Sequence, residues 1–104
     1  MKIIFTTIIP IRRIAAVNFF GILFAPKGAN LSARTVYHEA IHTAQMKEML
    51  YVFFYLWYLI EWLIRLFGKG NAYRNIAFEK EAYRHDHKRN YLNYRKPYSW
   101  LKYL

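Results

Sequence analysis

The spacing of apolar residues changes along this chain, and each change marks an expected element. Residues 2–9 and 14–25 are dense in Ile, Phe and Val and are punctuated by Pro10, Gly21, Pro26 and Gly28. Short apolar runs bounded in this way predict two short strands, joined by a turn or irregular link around Pro10 to Arg13. From Ser32, a suitable N-cap, the period becomes helical. Val36, Ala40, Ile41 and Ala44 form the apolar side, while His38, His42, Gln45 and Met49 make one continuous stripe placed to line a site. Met49 to Phe67 is then almost wholly apolar, and as one helix it would span about 28 Å, near the hydrocarbon thickness of a bilayer. Within that run Tyr51, Tyr55, Tyr58, Glu61 and Arg65 recur at helical spacing as a single polar stripe, with Glu61 and Arg65 set to pair at i, i+4. Gly68-Lys69-Gly70-Asn71 breaks the helix, and the pattern predicts another from about Asn75 to Asn93. The tail from Tyr94 to Leu104 reads as a short terminal helix or an extended strap.

The expected fold is therefore α+β and mostly helical. Short N-terminal β-strands precede a helix bearing the His stripe, a long hydrophobic helix and a Glu-bearing helix, all within one domain over residues 1–104. A hydrophobic content of 56% argues against disorder. The absence of cysteine excludes disulfides, thiol catalysis and Cys-ligated zinc, so any metal must be held by His and carboxylate. The net charge of +10 fits nucleic acid, anionic headgroups or an acidic partner without choosing among them. The first apolar run, broken by Thr6, Thr7 and Pro10 and followed by Arg12-Arg13, does not read as a signal peptide, which leaves a cytoplasmic or membrane-associated location.

One pentapeptide carries chemistry: His38-Glu39-Ala40-Ile41-His42, an HExxH. On a helix the two histidines stand one turn apart on one face, where both imidazoles can reach one tetrahedral Zn²⁺. Glu39 lies beside them, placed to take a proton from an attacking water. By chance alone the pattern arises in roughly one chain in a hundred of this length, so its surroundings matter. A catalytic zinc takes three protein ligands, and Glu79, Glu81, Asp86, His85 and His87 are the downstream candidates. Glu79 and Glu81 point about 200° apart on a helix, so only one of them faces the metal, and Tyr83 and Asp86 share the Glu79 face.

Thr35-Val36-Tyr37-His38-Glu39-Ala40-Ile41-His42-Thr43-Ala44 resembles the extended zincin signature, with uncharged residues flanking the HExxH. Glu79-Lys80-Glu81-Ala82 looks like the ExEA segment of gluzincins such as the heat-shock membrane proteases and the CAAX-prenyl proteases. With Gln45, the helix also resembles the HExxHxxQ form of small bacterial zincin-like domains of unknown function. The resemblance covers roughly residues 17–86. It implies His38, His42 and Glu79 as zinc ligands, with Glu81 the alternative, and Glu39 as general base. Those gluzincins usually carry Asp four residues after the ligand Glu, where this chain has Tyr83. Tyr83 and Asp86 are thus the candidates for a hydrogen bond to a ligand histidine, and Tyr83, Tyr73 and His85 for an oxyanion partner.

The expected function is zinc-dependent, water-mediated amide hydrolysis of a peptide or protein substrate, which the segment from Phe19 to Phe24 would bind by strand addition. The alternative is a membrane- or partner-associated accessory protein with a structural or vestigial metal site, residues 49–67 meeting the membrane surface or the partner. A basic nucleic-acid binder is the weakest of the three, because a Lys/Arg run on a helix is most often a solvated face.

Overall fold

A computed structural model describes residues 2–7 and 16–104. The expected link around Pro10 to Arg13 lies outside these residues. The architecture is α+β, a three-stranded sheet with helices packed on it, and about half of the chain is helical. Strands β1 (Lys2–Thr6), β2 (Val17–Phe19) and β3 (Ile22–Pro26) lie in the order β1-β3-β2, with β1 parallel and β2 antiparallel to β3.

The segment read as one strand over 14–25 is thus a hairpin. Phe20 and Gly21 both take positive φ, +51° and +88°, the geometry of a tight two-residue connection. Gly21 suits it and Phe20 does not, which is why the turn escapes a sequence reading. Its strain is offset across the molecule. The Phe20 N–H donates to the Tyr55 hydroxyl at 3.0 Å, and the two rings meet at 5.1 Å. Because Ile22–Phe24 forms the middle of the sheet, strand addition there has no free edge.

Helix α1 (Ala33–Glu48) begins at Ser32, whose hydroxyl accepts from the Thr35 N–H at 3.1 Å. The single long helix expected over 49–67 is not formed. Leu50 and Tyr51 take positive φ, +52° and +59°, and turn the chain through a corner. The Met49 and Tyr51 N–H groups cap the Gln45 and Met46 carbonyls as α1 ends. Helix α2 (Val52–Arg65) has 14 residues, about 21 Å. Among the described residues no helix is long and apolar enough to cross a membrane.

The corner lays α2 against α3 (Ala77–His85) with its polar stripe turned inward. Buried Glu61 pairs with Arg65 as expected, at 3.1 Å, and also accepts from the Ala77 N–H at 3.0 Å. A carboxylate from another helix thereby caps the first turn of α3 and suits its dipole. Helix α3 stops at His85 rather than near Asn93. A short helix α4 (Tyr91–Tyr94) and a 3₁₀ turn (Ser99–Tyr103) then fold back over it. The core is aromatic: Phe54 stacks on Phe78 at 4.5 Å, and Phe78 meets Trp100 edge-on at 4.7 Å. Ile41, Ala82 and Tyr91 form a second cluster, and the candidate site lies where α1 and α3 meet.

Candidate metal centre

Helix α1 presents His38 and His42 from one face, and α3 brings Glu79 opposite them; all three are buried. His38 Nε2 lies 3.0 Å from Glu79 Oε1, His42 Nε2 lies 3.1 Å from the same oxygen, and the two Nε2 atoms are 3.2 Å apart. With bonds of about 2.0–2.1 Å, adjacent ligands of a tetrahedral zinc stand about 3.3 Å apart. The three atoms therefore span a triangle of about the size that one zinc face requires.

The surrounding hydrogen bonds assign the lone pairs. His38 Nδ1 lies 2.9 Å from Asp86 Oδ2, a carboxylate that can only accept, so Nδ1 carries hydrogen. Gln45 Nε2 donates to the Phe78 carbonyl at 3.0 Å and to Glu81 Oε1 at 2.9 Å, which fixes the orientation of its amide. Its Oε1 must then face His42 Nδ1, 2.8 Å away, and that nitrogen also carries hydrogen. Both Nε2 lone pairs consequently point at Glu79. Three acceptors converge at about 3 Å with no hydrogen of their own between them, and a cation must join them, either a proton or a metal ion.

Without metal, the proton resides on His42. Burial disfavours its charge, but the Glu79 carboxylate, its hydrogen bond and Glu39 outweigh that and push His42 up to about 9. Glu79 responds in the opposite sense. Burial alone would raise its carboxyl, and the two imidazoles with the Tyr58 hydroxyl, donating to Oε2 at 2.7 Å, hold it well below the usual carboxylate range. A zinc ion binding at these three atoms would displace the His42 proton. Calorimetry in buffers of different ionisation enthalpy is therefore expected to show about one proton released per zinc at pH 7, falling toward none as pH rises through about 9. A buffer-independent enthalpy at pH 7 would contradict this assignment.

The remaining candidates fall into clear places. Glu39 stands on α1 beside the triangle and lines two clefts of about 250 and 270 Å³. Burial raises its carboxyl above the ordinary value although both histidines oppose this. Asp86 accepts the hydrogen bond from His38 Nδ1, and Arg34 holds its other oxygen at 2.8 Å. Tyr83 meets His38 through its ring, edge-on at 4.5 Å, with the Arg74 guanidinium 4.1 Å over its own face. Glu81 points away from the imidazoles, into Arg95, Tyr91 and Gln45, so it is not a member of the cluster. His85 stacks on Tyr91 at 3.9 Å and lies 3.1 Å from the Tyr103 hydroxyl, outside the site.

Tyr58, Asn18 and the orienting role of Gln45 were missed by the sequence reading, although Gln45 and Tyr58 both sit in stripes that it marked. Asn18 ties β2 to α1, donating to the Glu39 carbonyl at 2.9 Å and to Thr43 Oγ1 at 3.1 Å. No signal in the sequence points to that bond. Compared with known protein families, curated proteins and solved structures, the chain matches none.

Proposed function

We propose that the chain is a zinc-dependent metallopeptidase-like protein, with His38, His42 and Glu79 as ligands and Glu39 as the general base. The observation that carries this reading is the convergence of three acceptors, both Nε2 atoms and Glu79 Oε1, on one point beside a cleft. Bound there, zinc would acidify water toward neutral pH and polarise a carbonyl.

The chain's own residues do the rest. Glu39, made more basic by burial, takes the proton of the attacking water and returns it to the leaving amine. Tyr58 holds one oxygen of Glu79, leaving the other turned to the imidazoles. Tyr73 lines both clefts with Glu39, and burial with the nearby Glu79 charge keeps its hydroxyl protonated, so it can donate to a developing oxyanion. A peptide would enter along the cleft walled by Val17 and Asn18 of β2 and by Tyr55 and Tyr58 of α2.

Glu39→Gln separates catalysis from metal binding. The variant is expected to keep zinc at parental stoichiometry while cleavage of a quenched fluorescent peptide library falls roughly 10²–10⁴-fold, the usual contribution of a general base. Equal rates for zinc-loaded parent and variant would make the site structural and the accessory-protein reading the correct one.

A further inference from the structure

Helix α2 is inside out for a helix on the surface of a domain. Its inward side carries Tyr55, Tyr58, Glu61 and Arg65, and Phe54 is its one buried apolar residue. Nine of its 14 residues are exposed, and every one of them is hydrophobic. Ordinary surface helices have the opposite polarity, and soluble monomers rarely leave so continuous an apolar face uncovered. The face runs on past the helix into Phe67, which is 94% exposed, and across to exposed Leu104 at the C-terminal turn. A hollow of about 390 Å³ among Trp57, Ile60, Ile64 and Leu104 opens on it.

The charge of the molecule identifies what covers this face. All six carboxylate side chains are buried or half-buried: Glu48 and Glu81 in the Arg95 network, Glu61 on Arg65, Asp86 on Arg34 and His38, Glu79 and Glu39 at the metal centre. The exposed charged side chains among the described residues are therefore cationic. Lys47 lies just before α2 and Lys69 just after Phe67, while Lys96 and Lys102 flank Tyr98 and Leu101 in the tail, all of them exposed. A second copy would bring the same cations against them. Nucleic acid would match the charge but leave the apolar face in water. We propose that α2 docks flat on an anionic lipid surface, its apolar face among the acyl chains and the flanking lysines at the headgroups. At about 21 Å the helix is too short to span a bilayer, and the bonds of Glu61 to Ala77 and of Tyr58 to Glu79 hold it against the domain, parallel to the surface it meets.

The test is co-sedimentation of residues 1–104 with vesicles of phosphatidylcholine, with and without an equal part of phosphatidylglycerol. The expected result is binding to the anionic vesicles, weaker binding to the neutral ones, and a blue shift in the emission of exposed Trp57 and Trp62. Ile60→Glu with Ile64→Glu should reduce binding at least tenfold while zinc content and far-ultraviolet dichroism stay parental. Should that pair fail to fold, Lys69→Glu with Lys102→Glu decides instead, through a comparable loss on anionic vesicles alone. Absence of binding to anionic vesicles, or parental binding by the folded variants, would overturn the proposal. So would a dimer or a nucleic-acid complex that forms through this face while vesicles are ignored. The inference is independent of the zinc reading, because zinc content is scored in the same samples.

Discussion

Replacing Glu79 with Gln is expected to strip the protein of zinc. Loss of an outer hydrogen-bond partner already lowers metal affinity roughly 10–100-fold, and loss of one of three ligands should cost roughly 10³-fold or more. Gln keeps the shape of the side chain and can still accept from Tyr58, so the fold should persist by circular dichroism while metal analysis finds little zinc. The same substitution has a second readout. Burial disfavours charge on His42 and Glu79 is the largest influence opposing it, so in the metal-free variant His42 should titrate well below 9. Zinc retained at full stoichiometry, or a His42 titration unmoved by the substitution, would show that Glu79 is not the group facing the imidazoles.

The largest expected loss of stability lies beside the site. Arg95 is 5% exposed and joins Glu81, which is fully buried, to Glu48. Burial would raise the Glu81 carboxyl, but hydrogen bonds from Arg95, Gln45 and Tyr91 hold it below the usual range. Arg95→Met leaves that carboxylate without its cation, which typically costs about 3–5 kcal/mol. In a domain of this size that is a fall in Tm of at least about 12 °C. The sign with pH follows from the depressed Glu81 carboxyl. Its stabilisation is present above the ordinary carboxylate value of 4.5 and is lost as pH falls through the lower value in the folded protein. Parent and variant should therefore differ most at neutral pH and converge in acid. Adding Glu81→Leu to Arg95→Met should recover much of the loss. Thermal denaturation of the parent and the two variants at two pH values checks this, and a Tm within a few degrees of the parent for Arg95→Met alone would contradict it.

The Arg95 network also reaches the candidate metal centre. Glu81 accepts from the Gln45 amide, which thereby turns its oxygen to His42 and frees Nε2 for a ligand role. The two carboxylates of the Glu79-x-Glu81 segment thus divide the work: one faces the imidazoles, the other fixes the tautomer of one of them from the opposite side.

That division shows what was legible in the sequence. The i, i+4 histidines and the 200° separation of Glu79 from Glu81 are properties of single helices, so spacing alone paired the histidines and allowed only one of the two carboxylates to face them, while the choice of Glu79 came from the resemblance to the ExEA segment. Asp86 was reachable by the same reasoning, two turns on from Glu79 on one face. The corner at Leu50 and Tyr51 was not, because neither residue announces a positive φ, and the apolar run continues through it. What fixes that corner is nonlocal: Tyr55, Tyr58 and Glu61 must meet Phe20, Glu79 and Ala77. The early end of α3 is likewise set from outside, by Asp86 meeting Arg34 and His38 and by the return of Arg95 to Glu81. The polar stripe from Tyr55 to Arg65 is visible in the sequence, but Tyr51 falls in the corner before α2, and the inward direction of the stripe depends on a carboxylate capping a helix that is distant in sequence.

One zinc ion is proposed to join the two Nε2 atoms and Glu79. Anomalous diffraction at the zinc absorption edge, from crystals of residues 1–104 grown with equimolar zinc, locates it. One peak is expected about 2.0–2.2 Å from His38 Nε2, His42 Nε2 and a Glu79 oxygen, on the side open to Glu39. A zinc-loaded crystal with no peak among these three residues, or with its peak elsewhere, would contradict it.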